Sequence, residues 1–151
     1  MRNWRYPREK SMTINERQDE LIEEFTMFDD WMEKYEYIID LGKDVEGIAE
    51  ADKSEDYLVR GCQSRVWLIP SKEKETLHFQ ADSDAIITKG IVGMVVRVLS
   101  NSTADEILKS DLYFVDKIGL KEHLSPTRSN GLVSMIKKIK TYALAYSAKA
   151  I

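Results

Sequence analysis

The stretch Val59-Arg60-Gly61-Cys62-Gln63-Ser64-Arg65-Val66-Trp67 holds the one cysteine of a 151-residue chain. A lone thiol has two uses. Packed in a core it is a small apolar side chain, and free cysteine is among the most buried residue types. As a thiolate it is a nucleophile. Three features favour the second use. Gly61 permits a backbone conformation that would strain other residues, which puts Cys62 on a turn. Arg60 and Arg65 flank the thiol and favour its ionised form. The alternation beginning at Val66 places Cys62 at the edge of a sheet, where loops meet partners.

A cysteine hydrolase needs a histidine base beside its thiol. The chain offers only His78 and His123. His78 would come from across a hairpin and His123 from the loop before the last helix, and no motif selects either. There is no glycine-rich phosphate cradle and no carboxylate pair with a substrate logic. One reaction class needs only the thiolate. It attacks a sulfur–sulfur bond, takes the transferred sulfur and yields it to the next thiol, at a rate set by ionisation, nucleophilicity and access. The intermediate is a persulfide.

Composition narrows the setting. One cysteine excludes an internal disulfide, points to a reducing cytosol, and cannot alone hold an iron–sulfur cluster or a thiolate zinc site. The two histidines do not complete a metal set, so no metal is expected. A net charge of -4 argues against nucleic acid and against an anionic membrane surface as partner. No apolar run approaches the roughly 20 residues needed to span a bilayer. With 43% hydrophobic residues, the length suits one core. The basic residues 1–12 read as a mobile arm, leaving residues 13–151 as a single domain.

The elements that must position the thiol follow from periodicity. Thr13 with Glu16 forms a capping box before Leu21, Ile22, Phe25 and Phe28. Asp30 with Glu33 opens a second helix that stops at Gly42, and the short joint predicts an antiparallel helix pair. A short strand is expected at 57–59, a second from Val66, and a hairpin partner over 75–80, with Lys72-Glu73-Lys74 as the turn. Ala81-Asp82-Ser83-Asp84 reads as a helix start. The valine-rich run from Ala85 to Leu99 is too long for a usual strand and reads as a helix, with Gly90 and Gly93 allowing close packing on the sheet. A capping box at Thr103 and Glu106, a helix ending at Gly119 and a last helix from Ser125-Pro126 complete an α+β order, helices on one face of a small antiparallel sheet of about three strands.

Three blocks resemble one family. Gly61-Cys62-Gln63-Ser64 followed by Val66-Trp67, Asp82-Ser83-Asp84-Ala85 with Lys89-Gly90, and His123-Leu124-Ser125-Pro126-Thr127-Arg128-Ser129-Asn130-Gly131-Leu132 are similar to the SufE family of sulfur acceptors for cysteine desulfurases. The match runs in order from about the first helix to the end. Arg65 stands where glutamine is common and Ala81 where glycine is common. Neither removes an atom that the chemistry needs.

The resemblance implies that Cys62 takes sulfur from a persulfide on a SufS- or CsdA-like desulfurase. It then delivers that sulfur to an iron–sulfur scaffold complex, and the desulfurase is stimulated. Pyridoxal phosphate belongs to the desulfurase, and this chain carries no cofactor. The implied fold is similar to the scaffold IscU, whose ligand cysteines are missing here, and the resting loop is tucked into an apolar cavity. Gly61, Gln63, Ser64, Asp84, His123 and Arg128 are the candidates for supporting the loop, and Arg60 and Arg65 for meeting the partner. Each has a plainer alternative. Asp84 suits a helix cap, Gln63 and Ser64 local hydrogen bonds, Arg128 a solvated helix start and Trp67 the core. A desulfurase-binding adaptor and a cysteine hydrolase remain the rival functions.

Overall fold

The computed structural model describes residues 12–149, so the arm expected over 1–12 lies outside the described residues except for Met12. Helix α1 spans Ile14–Phe25, and its capping box forms as expected. The Glu16 N–H donates to Thr13 Oγ1 at 3.0 Å and the Thr13 N–H to Glu16 Oε1 at 2.8 Å. Helix α2, Trp31–Gly42, is capped by Asp30, which accepts from the Glu33 N–H at 2.9 Å.

The expected antiparallel pair is not the main partnership of these helices. They meet at their joint, where Tyr37 packs on Phe25 and Phe28. Along its length α2 lies instead against α3, Ile86–Leu99. The reason is glycine. A Cβ on Gly90 would lie 2.0 Å from the Ile38 carbonyl oxygen, and one on Gly93 would lie 2.6 Å from Val45. The close approach read from these glycines is therefore helix on helix, not helix on sheet. Gly90 through Leu99 are all buried, which makes α3 the centre of the core. Arg97 on this helix is buried too, neutralised by Glu20 at 2.9 Å and by Glu24 on α1. Arg17 of α1 donates to Val98 O at 3.0 Å and Asn101 O at 3.0 Å, which satisfies carbonyls at the end of α3.

The sheet is one antiparallel hairpin. Strand β1, Val66–Glu73, pairs with β2, Thr76–Ser83, so that Val66 faces Ser83 and Glu73 faces Thr76. Both strands exceed the expected lengths. The turn is Lys74-Glu75, with Lys74 at φ 57°, one position beyond the predicted one. Leu77, Phe79 and Ala81 of β2 are buried in alternation, as a sheet with one covered face requires.

The predicted third strand is a single bridge between Leu58 and Trp67. Two short 3₁₀ turns, Glu50–Asp52 and Glu55–Tyr57, consume the chain before it, and Gly61 turns the chain after it. The architecture is α+β, a two-stranded sheet with flanking helices.

Helix α4, Ala104–Lys109, carries the second capping box; α5, Phe114–Ile118, ends at Gly119 with φ 88°; α6 is Leu120–His123. Helix α7, Pro126–Lys149, packs on α3, α4 and β1. Tyr142 fastens it to the sheet by donating to Leu68 O at 2.9 Å. Among the described residues no helix is long and apolar enough to cross a membrane.

Candidate functional site

The Cys62 loop is held at both ends. Upstream, the Val59 N–H donates to Val66 O at 2.7 Å. Downstream, Asp84 Oδ1 accepts from the Arg65 N–H at 3.0 Å, and Ser83 Oγ donates to Arg65 O at 2.8 Å. Ala81 to Ser83 belong to β2, and Ala85, without a side-chain cap, opens α3. The helix begins directly after Ala81-Asp82-Ser83-Asp84, as read, but the first three of these residues end β2 and Asp84 anchors the loop instead of capping the helix.

Between these anchors the loop lies on α7. Gly61 has φ 93°, open to glycine at little cost, and a Cβ there would lie 2.4 Å from Ser134 Oγ. The Cys62 thiol donates to Gly131 O at 3.6 Å, and a Cβ on Gly131 would lie 3.3 Å from Sγ.

Cys62 is half-buried, and burial pushes its thiol pKa up. This overturns the expectation that Arg60 and Arg65 favour the thiolate. Both side chains are exposed, and Arg65 lies 5.7 Å over the ring of the buried Trp67.

The thiol opens onto a cavity of about 180 Å³. Gln63 and Ser64 of the loop, Thr88 and Ile91 of α3, and Arg128 and Met135 of α7 line it with Cys62. Ser125 and Thr127 add hydroxyls. The cavity implied as apolar is thus mixed, with apolar walls from Ile91 and Met135 and a polar lining from hydroxyls, an amide and a guanidinium. Arg128 stands in the first turn of α7, where its N–H donates to Ser125 Oγ at 3.3 Å.

His123 is not among the residues lining this cavity. Its ring stacks on Trp31 at 4.1 Å, its Nδ1 lies 3.1 Å from Gly119 O, and its carbonyl accepts from Tyr35. His78 faces Ser71 toward the hairpin turn, away from the Val66–Ser83 end, with Nε2 3.1 Å from Thr76 Oγ1. Among the described residues no histidine accompanies the thiol, so the geometry a cysteine hydrolase needs is missing.

Thr88, Ile91, Gly131, Ser134 and Met135 had no site role in the sequence. Ile91 falls in the valine-rich run read as a helix and Met135 in the last helix, where apolar residues imply packing alone. The signal lay in the spacing of Arg128, Gly131 and Met135, which share one face of α7.

Fold and site define a small α+β protein with one half-buried thiol clamped at the sheet's edge. The chain belongs to the SufE family, whose model, described as an Fe-S metabolism associated domain, matches residues 19–143. An uncharacterised SufE-like protein of Rhizobium meliloti (strain 1021) is 41% identical over 130 residues, 83% of this chain and 93% of the relative. One from Rhizobium etli is 40% identical over 135 residues, 86% and 91% of the two chains. The solution structure of a hypothetical protein from Thermus thermophilus has the same fold, with a TM-score of 0.70 at 16% identity over 85% of this chain and 94% of that one. Family membership assigns the protein a role in Fe–S metabolism.

Proposed function

We propose that the protein accepts sulfur from a cysteine desulfurase as a persulfide on Cys62 and passes it on to iron–sulfur cluster assembly. The observation that carries this is the sole thiol of the chain, half-buried and opening onto a cavity with no histidine. Cys62 gives its proton to solvent, and the thiolate attacks the outer sulfur of the donor's persulfide. The new bond joins Sγ to that sulfur, the donor's S–S bond breaks, and the donor cysteine leaves as a thiolate. Nothing is oxidised or reduced overall. The second transfer repeats the exchange on a thiol of the assembly machinery.

Pyridoxal phosphate is the desulfurase's cofactor, and the compartment is the reducing cytosol. Draining the donor's persulfide is how the protein stimulates desulfurase turnover. Because burial favours the thiol, attack requires the desulfurase to loosen the loop in its seat on α7 and expose Sγ at the mouth of the cavity, beside Arg128. The same seat shields the persulfide from stray thiols. Gly61, Gln63 and Ser64 shape the loop, Asp84 anchors it, and Arg128 faces the anionic sulfur.

The alternative is an adaptor that activates the desulfurase by binding alone. Turnover of a desulfurase on cysteine, with wild type and with Cys62→Ser, separates the two. A carrier stimulates only as wild type. Equal stimulation by Cys62→Ser would make the protein an adaptor.

A further inference from the structure

Beside the Cys62 loop, α7 forms one wall of a groove of about 300 Å³. Val59, Arg60, Ser134, Lys137, Lys138 and Thr141 line it. Every charge in that lining is positive. Among the described residues no carboxylate pairs with Arg60, Lys137 or Lys138. Elsewhere Lys43, Lys109 and Lys121 each have a carboxylate within 4.0 Å. A chain of net charge -4 thus leaves three cations unneutralised around one groove. Lys138 is held there by the ring of Tyr142, 5.0 Å from its Nζ.

The flanking surface is not purely polar. Val133, Lys137, Thr141 and Leu144 share one stripe of α7, and Val133 and Leu144 are 55% and 60% exposed. Large apolar side chains left in water beside unpaired cations suit a partner of opposite charge with its own apolar contact. The groove is continuous with the reactive loop. Arg60 lies two residues before Cys62, and Ser134 seats Gly61. Arg65, turned onto Trp67, is not among its lining residues.

We propose that this groove docks an acidic segment of the sulfur-donating protein, with an apolar side chain of that segment against Val133. This rests on the carrier reading for the identity of the partner. Docking there brings the donor against the upstream flank of the Cys62 loop. Its charge acts chiefly on the rate of encounter and is screened by salt.

The test is the association kinetics of a pyridoxal-phosphate cysteine desulfurase from the same genome. The partner is the Cys62→Ser protein, which binds without chemistry. Lys137→Glu with Lys138→Glu in that background should slow association about tenfold at low ionic strength, within the range that charge changes produce at one interface. Dissociation should change little, and the difference should shrink as salt is added. Lys117→Glu with Lys121→Glu on α5 and α6 makes the same change in net charge and should leave association near wild type. Circular dichroism confirms folding.

Wild-type association of the groove variant would overturn the proposal, as would equal slowing by the control. A single-stranded oligonucleotide retained by wild type and lost by the groove variant, with desulfurase association unchanged, would overturn it in favour of nucleic acid. Slowed desulfurase binding, with no sulfur ever gained by wild-type Cys62, would sustain the groove and overturn the carrier reading.

Discussion

Burial pushes the Cys62 thiol pKa up, and contacts with Gly131 and Ser134 set its loop on α7. The sign of the pH effect follows. A folded-state pKa above the unfolded one means that the folded chain keeps the proton to higher pH, so the stability contributed is present below the unfolded pKa and is lost as pH rises through the folded one. Two outcomes are expected. Alkylation of the free protein should reach half its limiting rate at a higher pH than alkylation of a Gly-Cys-Gln-Ser peptide. Above about pH 8.5, wild type should lose stability that Cys62→Ser retains. Coincident alkylation profiles would mean that the thiol is not shielded.

Arg128 gives the second prediction at this scale. Loss of a charge-assisted hydrogen bond to the persulfide costs about 1.5–3 kcal/mol, a roughly ten- to hundredfold slower transfer if it falls on the transition state. Arg128→Ala should slow single-turnover sulfur transfer by that much while folding normally, and Arg128→Lys should rescue poorly, since a point charge cannot reproduce the planar fork. A wild-type rate for Arg128→Ala would make it a solvated residue at a helix start.

The residue scale was the most legible in sequence. Cys62 and the turn at Gly61 could be read directly, because composition and a glycine suffice. The sign of the thiol's pKa could not. Flanking arginines are visible in a sequence, but the burial that raises the thiol pKa depends on α7, about 70 residues away.

At the scale of elements, the site depends on α3 being held where Thr88 and Ile91 face the loop. That placement rests on the contact of Gly90 with Ile38. Gly90→Ala should gain about 1 kcal/mol of helix propensity and lose more, because a methyl 2.0 Å from a backbone oxygen forces α2 and α3 apart. A net loss of about 2 kcal/mol is expected, read as a lower urea midpoint, together with faster alkylation of Cys62. An unchanged or raised midpoint would show that α2 and α3 separate at little cost.

Most helices were legible because they announce themselves locally, through capping boxes at Thr13 and Thr103, glycine at Gly119 and proline at Pro126, whereas the single turn Leu120–His123 was read as loop. The misreadings concern partners. Asp84 has the chemistry of a cap, yet β2 runs on to Ser83, so the carboxylate lies beside the Arg65 N–H. Gly90 and Gly93 announce a close approach without saying to what. The short strand before Cys62 shrank to one bridge because strand pairing depends on a partner's length, which a local pattern does not carry.

At the scale of the whole molecule, one core built around α3 supports a thiol at the sheet's edge and a cationic groove beside it. The ion cluster of Arg97 with Glu20 and Glu24 ties α1 to α3, and the loop is clamped between the sheet and α7. The order of elements foretold the α+β class, because helical and alternating periods are distinct. The groove was not legible, since Arg60 and Lys137 come together only when α7 packs against the loop.

The central claim is that Cys62 carries sulfur, and the most direct measurement is intact mass. The protein is mixed with a cysteine desulfurase and free cysteine, and its mass is taken before and after a reductant is added. The carrier account predicts that wild type gains one sulfur atom, that the reductant removes it, that tryptic mapping places it on the peptide containing Gly61-Cys62-Gln63, and that Cys62→Ser gains none. Sulfur uptake by Cys62→Ser, or none by a wild-type protein that binds the desulfurase, would contradict the account.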